Sequence, residues 1–143
     1  MTGFLLDPNV PSELTRPKSD ARVEKWLDAA ADEQLFLSVI SLGEILRGIR
    51  LLPESRRRRQ LQQWLEGTLR SWFRDRILPI TEPIAERWAI LAGQRQLQGK
   101  PLRMADGLIA ATALEHDLTL VTRKVKDFVG LGVTLLDPWE PIS

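Results

Sequence analysis

Cysteine is absent from the 143 residues, and histidine occurs once, at position 116. Without thiols there is no disulfide framework, no thiolate zinc site and no cysteine nucleophile. His116 alone cannot build a metal site from several imidazoles. Net charge is almost missing as well: twenty Lys and Arg against nineteen Asp and Glu leave +1. That balance excludes a globally basic nucleic-acid coat and an acidic tail. No apolar run approaches the roughly 18 residues that cross a bilayer. The amino end, Met1 to Leu6, meets Asp7 before an apolar stretch of signal-peptide length can form. A soluble cytoplasmic protein without membrane association is expected. Its chemistry must come from carboxylates, hydroxyls, lysines and arginines.

What is present suits one globular domain spanning residues 1–143, with 43% hydrophobic and 27% charged residues. Phe4-Leu5-Leu6 reads as a strand stopped by Asp7-Pro8-Asn9, where a loop is expected because proline lacks an amide donor. Asp20 is placed to cap a helix carrying Val23, Trp26, Leu27 and Ala30 at helical spacing. Leu35 to Ile40 reads as a second strand, followed by a helix from about Leu42 to Leu52. Pro53 separates it from a helix over about Glu54 to Trp72, with Leu61, Trp64, Leu65, Leu69 and Trp72 on one face. Ile77 to Ile80 is a brief strand, and Thr81 and Pro83 open a helix that ends near Gly99 and Pro101. Met104 to Glu115 is helical, Leu118 to Val121 a strand, Val125 to Phe128 a turn or short helix, and Val133 to Leu136 the last strand. Strands alternating with helices predict an α/β fold with a mostly parallel sheet between helical layers.

In such sheets ligands bind beyond the carboxyl ends of the strands. Asp7 follows the first strand, Glu44 follows the second, Asp106 lies early in the alanine-rich helix and Asp127 lies shortly after Thr122. Four acids from distant segments are thus expected on one rim, where their mutual repulsion favours hard divalent cations with oxygen ligands. Each acid also has a structural account. Asp7 before Pro8 suits a turn, Asp106 suits a helix start, and Asp127 suits a solvated turn. Ser41-Leu42-Gly43-Glu44 matches the Ser-x-x-Glu capping box.

Four stretches bear a resemblance. Leu5-Leu6-Asp7-Pro8-Asn9-Val10-Pro11-Ser12-Glu13-Leu14 resembles the amino-terminal motif of PIN-domain ribonucleases of the VapC and FitB-like toxin type. Leu37 to Ile49, containing Glu44, is similar to their second motif, and Met104 to Ala113, containing Asp106, to their third. Leu118-Thr119-Leu120-Val121-Thr122-Arg123 resembles the start of the fourth, and Leu135-Leu136-Asp137-Pro138-Trp139 the family's ending. The resemblance implies a three-layer PIN-like fold and a Mg²⁺- or Mn²⁺-dependent endoribonuclease, with Asp7, Glu44 and Asp106 as metal-binding acids and Asn9 and Thr122 as polar supports. It further implies a VapB- or FitA-like antitoxin partner and a homodimer, for which the helices between Leu42 and Trp72 are a candidate surface.

Two positions depart from that pattern. Pro8 stands where the family commonly has a small hydroxyl residue, and Lys124 where the fourth motif usually has Asp or Asn. Lys124 is expected to compete with a cation for the acids or to contact substrate phosphate; Asp127 is a partial substitute for the missing acid, and a second metal ion is not expected. Charge is also unevenly spread. Nine arginines between Arg47 and Arg76 face three acids, giving that segment +6 and the remainder −5. Such a segment suits RNA phosphates, while for Arg56 to Arg59, which point around the helix, a solvated helix face is the favoured account. Trp26, Trp64 and Trp88 are expected in the core, and His116 at the surface near a helix end. Two other functions remain open: an RNA- or antitoxin-binding PIN module with weakened catalysis, and a phosphotransferase using Asp7 as nucleophile. The second is disfavoured by Asn9 in place of a second acid and by the lack of a phosphate-cradling glycine loop.

Overall fold

The computed structural model describes residues 3–140, so Met1 and Thr2 of the expected amino-terminal segment and residues 141–143 of the expected domain lie outside the described part. Five strands form one parallel sheet: β1 (Phe4–Leu6), β2 (Leu35–Ser38), β3 (Ile77–Leu78), β4 (Thr119–Val121) and β5 (Leu135–Leu136), in the order β3-β2-β1-β4-β5. The strands are short and apolar because both faces of the sheet are covered. Leu5 and Leu6 of β1 show the consequence: both are fully buried, and they point into different cores. One core joins Leu6 to α2 (Ala21–Ala29), α3 (Val39–Arg50) and the chain following α3, through Leu27, Ile45, Leu65, Leu69 and Phe73. The other joins Leu5 to α7 (Met104–Glu115) and α8 (Val125–Phe128) through Ile109, Ala110, Ala113 and Phe128. The fold is therefore three-layered, as expected. Among the described residues no helix is long and apolar enough to cross a membrane.

Side-chain caps open four of the helices. Asp20 accepts a bond from the Arg22 amide at 2.8 Å and starts α2, as expected. Thr81 caps α6 (Glu82–Leu97) through the Ile84 amide, with Pro83 in the first turn. Gly99, at a φ of +73°, turns the chain out of α6.

Three expectations need correcting. The loop expected after Asp7 contains a short helix, α1 (Asn9–Glu13), because Pro8 adopts helical angles and its carbonyl accepts the Ser12 amide. The second strand ends at Ser38 rather than Ile40, because the Ser38 hydroxyl caps the Ile40 amide at 3.0 Å and α3 starts three residues earlier than expected. Glu44 consequently lies inside α3 and caps nothing. Ser41, the other half of the expected capping box, is buried and its hydroxyl reaches the Leu6 carbonyl at 3.4 Å. The third concerns the helix expected from Glu54. Ser55 caps it, so that it starts at Arg56. It runs as α4 (Arg56–Gln63), then through a π-helical stretch (Trp64–Leu69) into α5 (Arg70–Trp72). The wider turns retain Leu65 and Leu69 in the core while leaving Trp64 at the margin.

Helices α6 and α7 meet most closely at Gly107, where an added Cβ would stand 2.7 Å from the Trp88 ring. Gly107 follows Asp106, so this contact also sets where that acid sits. Gly107→Ala is expected to destabilise the protein by about 1–3 kcal/mol through overpacking, measured by urea unfolding; an unchanged midpoint contradicts the tight contact.

Candidate active site

The strand order places a switch point between β1 and β4, since the chain leaves β1 toward β2 on one side and returns as β4 on the other. Parallel sheets open a crevice at the carboxyl ends of such a pair. Asp7 ends β1 and Thr122 ends β4, and the Asp7 amide donates to the Val121 carbonyl at 2.9 Å. Across the crevice the Thr122 hydroxyl donates to Asp7 Oδ2 at 2.7 Å, and Asn9 Nδ2 donates to the same oxygen at 3.0 Å. Asp7 Oδ1 is buried and has no hydrogen-bond partner. Burial pushes the Asp7 carboxyl up from its ordinary 3.8 to about 6; the Thr122 hydroxyl and the Lys124 charge pull it down, and the Asp106 charge adds to the rise.

Asp7, Glu44 and Asp106 line one cavity of about 440 Å³. Asp106 is nearly buried in the first turn of α7, and Glu44 is partly exposed on α3. Two cations hold these acids. Lys124 Nζ donates to Asp106 Oδ1 at 2.9 Å, and Arg103 stands between Asp106 and Glu44, 3.6 Å from each. Among the described residues no three His, Asp or Glu side chains are grouped closely enough to hold a metal ion. The three acids thus share a cavity in which, among these residues, Glu44 and Asp106 are ion-paired and Asp7 is not, rather than forming a closed coordination shell.

Asn9 and Thr122, expected as polar supports, both hydrogen-bond Asp7. Asn9 additionally accepts the Arg123 amide, and Thr122 accepts the Lys124 amide at 2.9 Å. Asp127 is a correction: it does not join the other acids but lines a neighbouring cavity with Asp137 and Glu140, its amide tied to the Lys124 carbonyl in the turn of α8. Sequence reasoning missed Arg103. It sits three residues before Asp106 at the start of α7, and that spacing was the available signal. Trp64, expected in the core, packs against the core and also lines the apolar end of the cavity with Ile45, Ile49 and Leu61. Trp139, whose role sequence left open, is buried, with the Arg123 guanidinium 5.3 Å from its ring centre. Two arginines of the basic segment bond residues that line the cavity: Arg57 donates to the Thr15 carbonyl at 2.7 Å and Arg58 to the Leu52 carbonyl at 3.5 Å. His116 is exposed just past α7, as expected.

Residues 4–126 match the family model of the PIN domain. The chain belongs to the PIN-domain family. Its relatives include Toxin FitB of Neisseria gonorrhoeae, 39% identical with 96% of this chain and 99% of that protein covered. VapC ribonuclease Y4jK of Sinorhizobium fredii is 37% identical with the same coverage of both chains. The structure of FitAB bound to a DNA fragment superposes on this PIN domain with a TM-score of 0.90, at 36% identity and 98% coverage of both chains. VapBC of Salmonella typhimurium, at 21% identity and a TM-score of 0.78, shares the fold.

The buried Asp7 of this PIN domain has a consequence for stability. The folded carboxyl keeps its proton up to about pH 6 and the unfolded one only to about 3.8. Between those values the native state binds more protons, so this group's contribution to stability falls as pH rises and is lost above about 6. Asp7→Asn removes the penalty. In the presence of a chelator it is expected to raise the unfolding free energy by up to about 3 kcal/mol at pH 7.5 and by little at pH 4. Urea titrations at the two pH values check this, and an equal effect at both contradicts a carboxyl raised by burial.

Proposed function

We propose that this protein is a Mg²⁺- or Mn²⁺-dependent endoribonuclease, the toxin of a toxin–antitoxin pair. The observation that carries the reading is the convergence of Asp7, Glu44 and Asp106, from three distant segments, on one cavity at the sheet's switch point. The donor set fits a hard divalent ion. All three side chains offer oxygen, and Asp7 Oδ1 is buried with no partner, a state that costs free energy unless a ligand relieves it. When bound, such an ion supplies Lewis acidity to the water and to the phosphodiester in hydrolysis.

The chain's own residues perform the rest. Thr122 and Asn9 both hold Asp7 Oδ2, which fixes the carboxylate plane and leaves Oδ1 for the ion. Asp7 binds it as the carboxylate, so protons compete with the ion below about pH 6. Arg103, 60% exposed and at 3.6 Å from both acids, holds them loosely and is free to turn to a substrate phosphate. Ile45 and Trp64 give one end of the cavity an apolar wall. The FitAB and VapBC structures join relatives of this chain to second components. The corresponding partner here is a VapB- or FitA-like antitoxin covering the cavity.

The binding-module reading keeps one observation in its favour, the Lys124–Asp106 ion pair, which occupies an acid that catalysis needs. RNA cleavage in Mn²⁺ decides between them. The wild type is expected to cleave, and Asp7→Asn or Asp106→Asn to reduce the rate by about two orders of magnitude or more. RNA binding without cleavage by the wild type overturns the enzymatic reading.

A further inference from the structure

We propose that Lys124 takes the place of a cation in this site: its tethered ammonium, and not a second divalent ion, neutralises Asp106, so that the cluster holds a single divalent ion. The inference rests on the metal-dependent reading above and concerns how many ions that site accepts.

Three contacts position the lysine. Its amide is held by the Thr122 hydroxyl at 2.9 Å, its ammonium lies 5.8 Å from the centre of the Phe128 ring, and Nζ donates to Asp106 Oδ1 at 2.9 Å. Thr122 is also the residue that holds Asp7, so one hydroxyl fixes both the acid at the end of β1 and the backbone from which the lysine reaches across to α7. Phe128 is fully buried and does not yield. The Lys124 side chain is 34% exposed and its carboxylate partner 6%, against 60% for Arg103. A short charge-assisted bond to a nearly buried carboxylate is much stronger than a 3.6 Å contact made by an exposed side chain. An arriving ion therefore displaces Arg103 from Glu44 and Asp106 more easily than it displaces Lys124.

A second divalent ion in a paired site stands about 4 Å from the first and needs carboxylates of its own. Among the described residues the acids lining this cavity are Asp7, Glu44 and Asp106, which the first ion already uses. Position 124 carries a positive charge, and Asp127 faces a different cavity. The Lys124 ammonium already compensates Asp106, which a second ion would otherwise do, and it repels any cation placed beside it.

Mn²⁺ binding to the full chain, measured by calorimetry and by electron paramagnetic resonance of the free ion, tests this. The wild type is expected to bind one Mn²⁺. Lys124→Met is expected to retain one and bind it about ten-fold more tightly, because the competing charge is gone. Lys124→Asp is expected to bind two, and Lys124→Arg to behave as the wild type. Circular dichroism of each variant confirms that it is folded, and Lys124→Arg carries the comparison if Lys124→Met does not fold. Two ions in the wild type, or in Lys124→Arg, overturn the proposal. So does wild-type affinity and stoichiometry in both Lys124→Met and Lys124→Asp, including the case where Lys124→Met only raises KM for RNA, which assigns the lysine to substrate phosphate alone. Absence of Mn²⁺ binding in every variant and the wild type removes the metal-dependent reading as well, whereas one equally bound ion throughout, with cleavage intact, removes only this inference.

Discussion

The bond between the Thr122 hydroxyl and Asp7 ties the two strands that flank the switch point, and the rest of the site is arranged around it. A fully buried carboxylate at the end of the central strand is costly, and a chain under selection for stability alone would replace it. Here the cost is only partly offset. Two donors converge on one oxygen, while the other has none, and the carboxyl is pushed up toward neutrality by burial. Local strain of this electrostatic kind belongs to a binding site, because a ligand cation relieves it.

The acids that complete the cluster are handled differently. Glu44 and Asp106 are delivered by helices, one from each side of the sheet, and both are met by cations from the same protein. Asp106 gains twice from its position. The first turn of α7 favours negative charge through the helix dipole, and Lys124 provides a direct counter-charge. Gly107 then lets α7 approach α6 closely, so the acid's position depends on a packing contact as well as on charge. The geometry of this site therefore depends on core packing as well as on charge.

Much of this was legible in sequence, for identifiable reasons. The strands appear as short apolar runs ended by polar or proline residues, and α7 runs from Met104 to Glu115 as its alanine-rich composition indicates. Asp7 and Glu44 were expected on one edge because each follows a parallel strand, and Asp106 because it lies early in the alanine-rich helix. The failures have a common cause. Sequence spacing made Ser41-x-x-Glu44 a capping box, but tertiary structure used Ser38 as the cap and sent the Ser41 hydroxyl to the Leu6 carbonyl. Asp127 was assigned by its distance from Thr122, yet the turn into α8 carries it to the far side of Lys124. The local signal for Arg103 was its i,i+3 spacing to Asp106, whereas its reach to Glu44, 59 positions away in the chain, leaves none. The π-helical turns at Trp64–Leu69 shift the register that the apolar spacing alone implies.

The internal cations also bear on how this fold exists before any ion arrives. Three carboxylates brought to one cavity repel each other, and a site that relied wholly on divalent ions would leave the ion-free protein strained at neutral pH. Lys124 changes that balance by placing a positive charge 2.9 Å from the nearly buried Asp106 carboxylate. The ion-free chain then carries its own compensation, and the binding of a divalent ion becomes an exchange of charge partners rather than the rescue of an unstable cluster. On the proposed reading, affinity for the ion would be lowered by the same interaction that compensates Asp106 in the ion-free fold, the general consequence when a ligand and an internal group compete for one carboxylate. A site built this way is set by a single side chain at the end of β4, in reach of Thr122 and Asp106, without any change to the sheet that supports it.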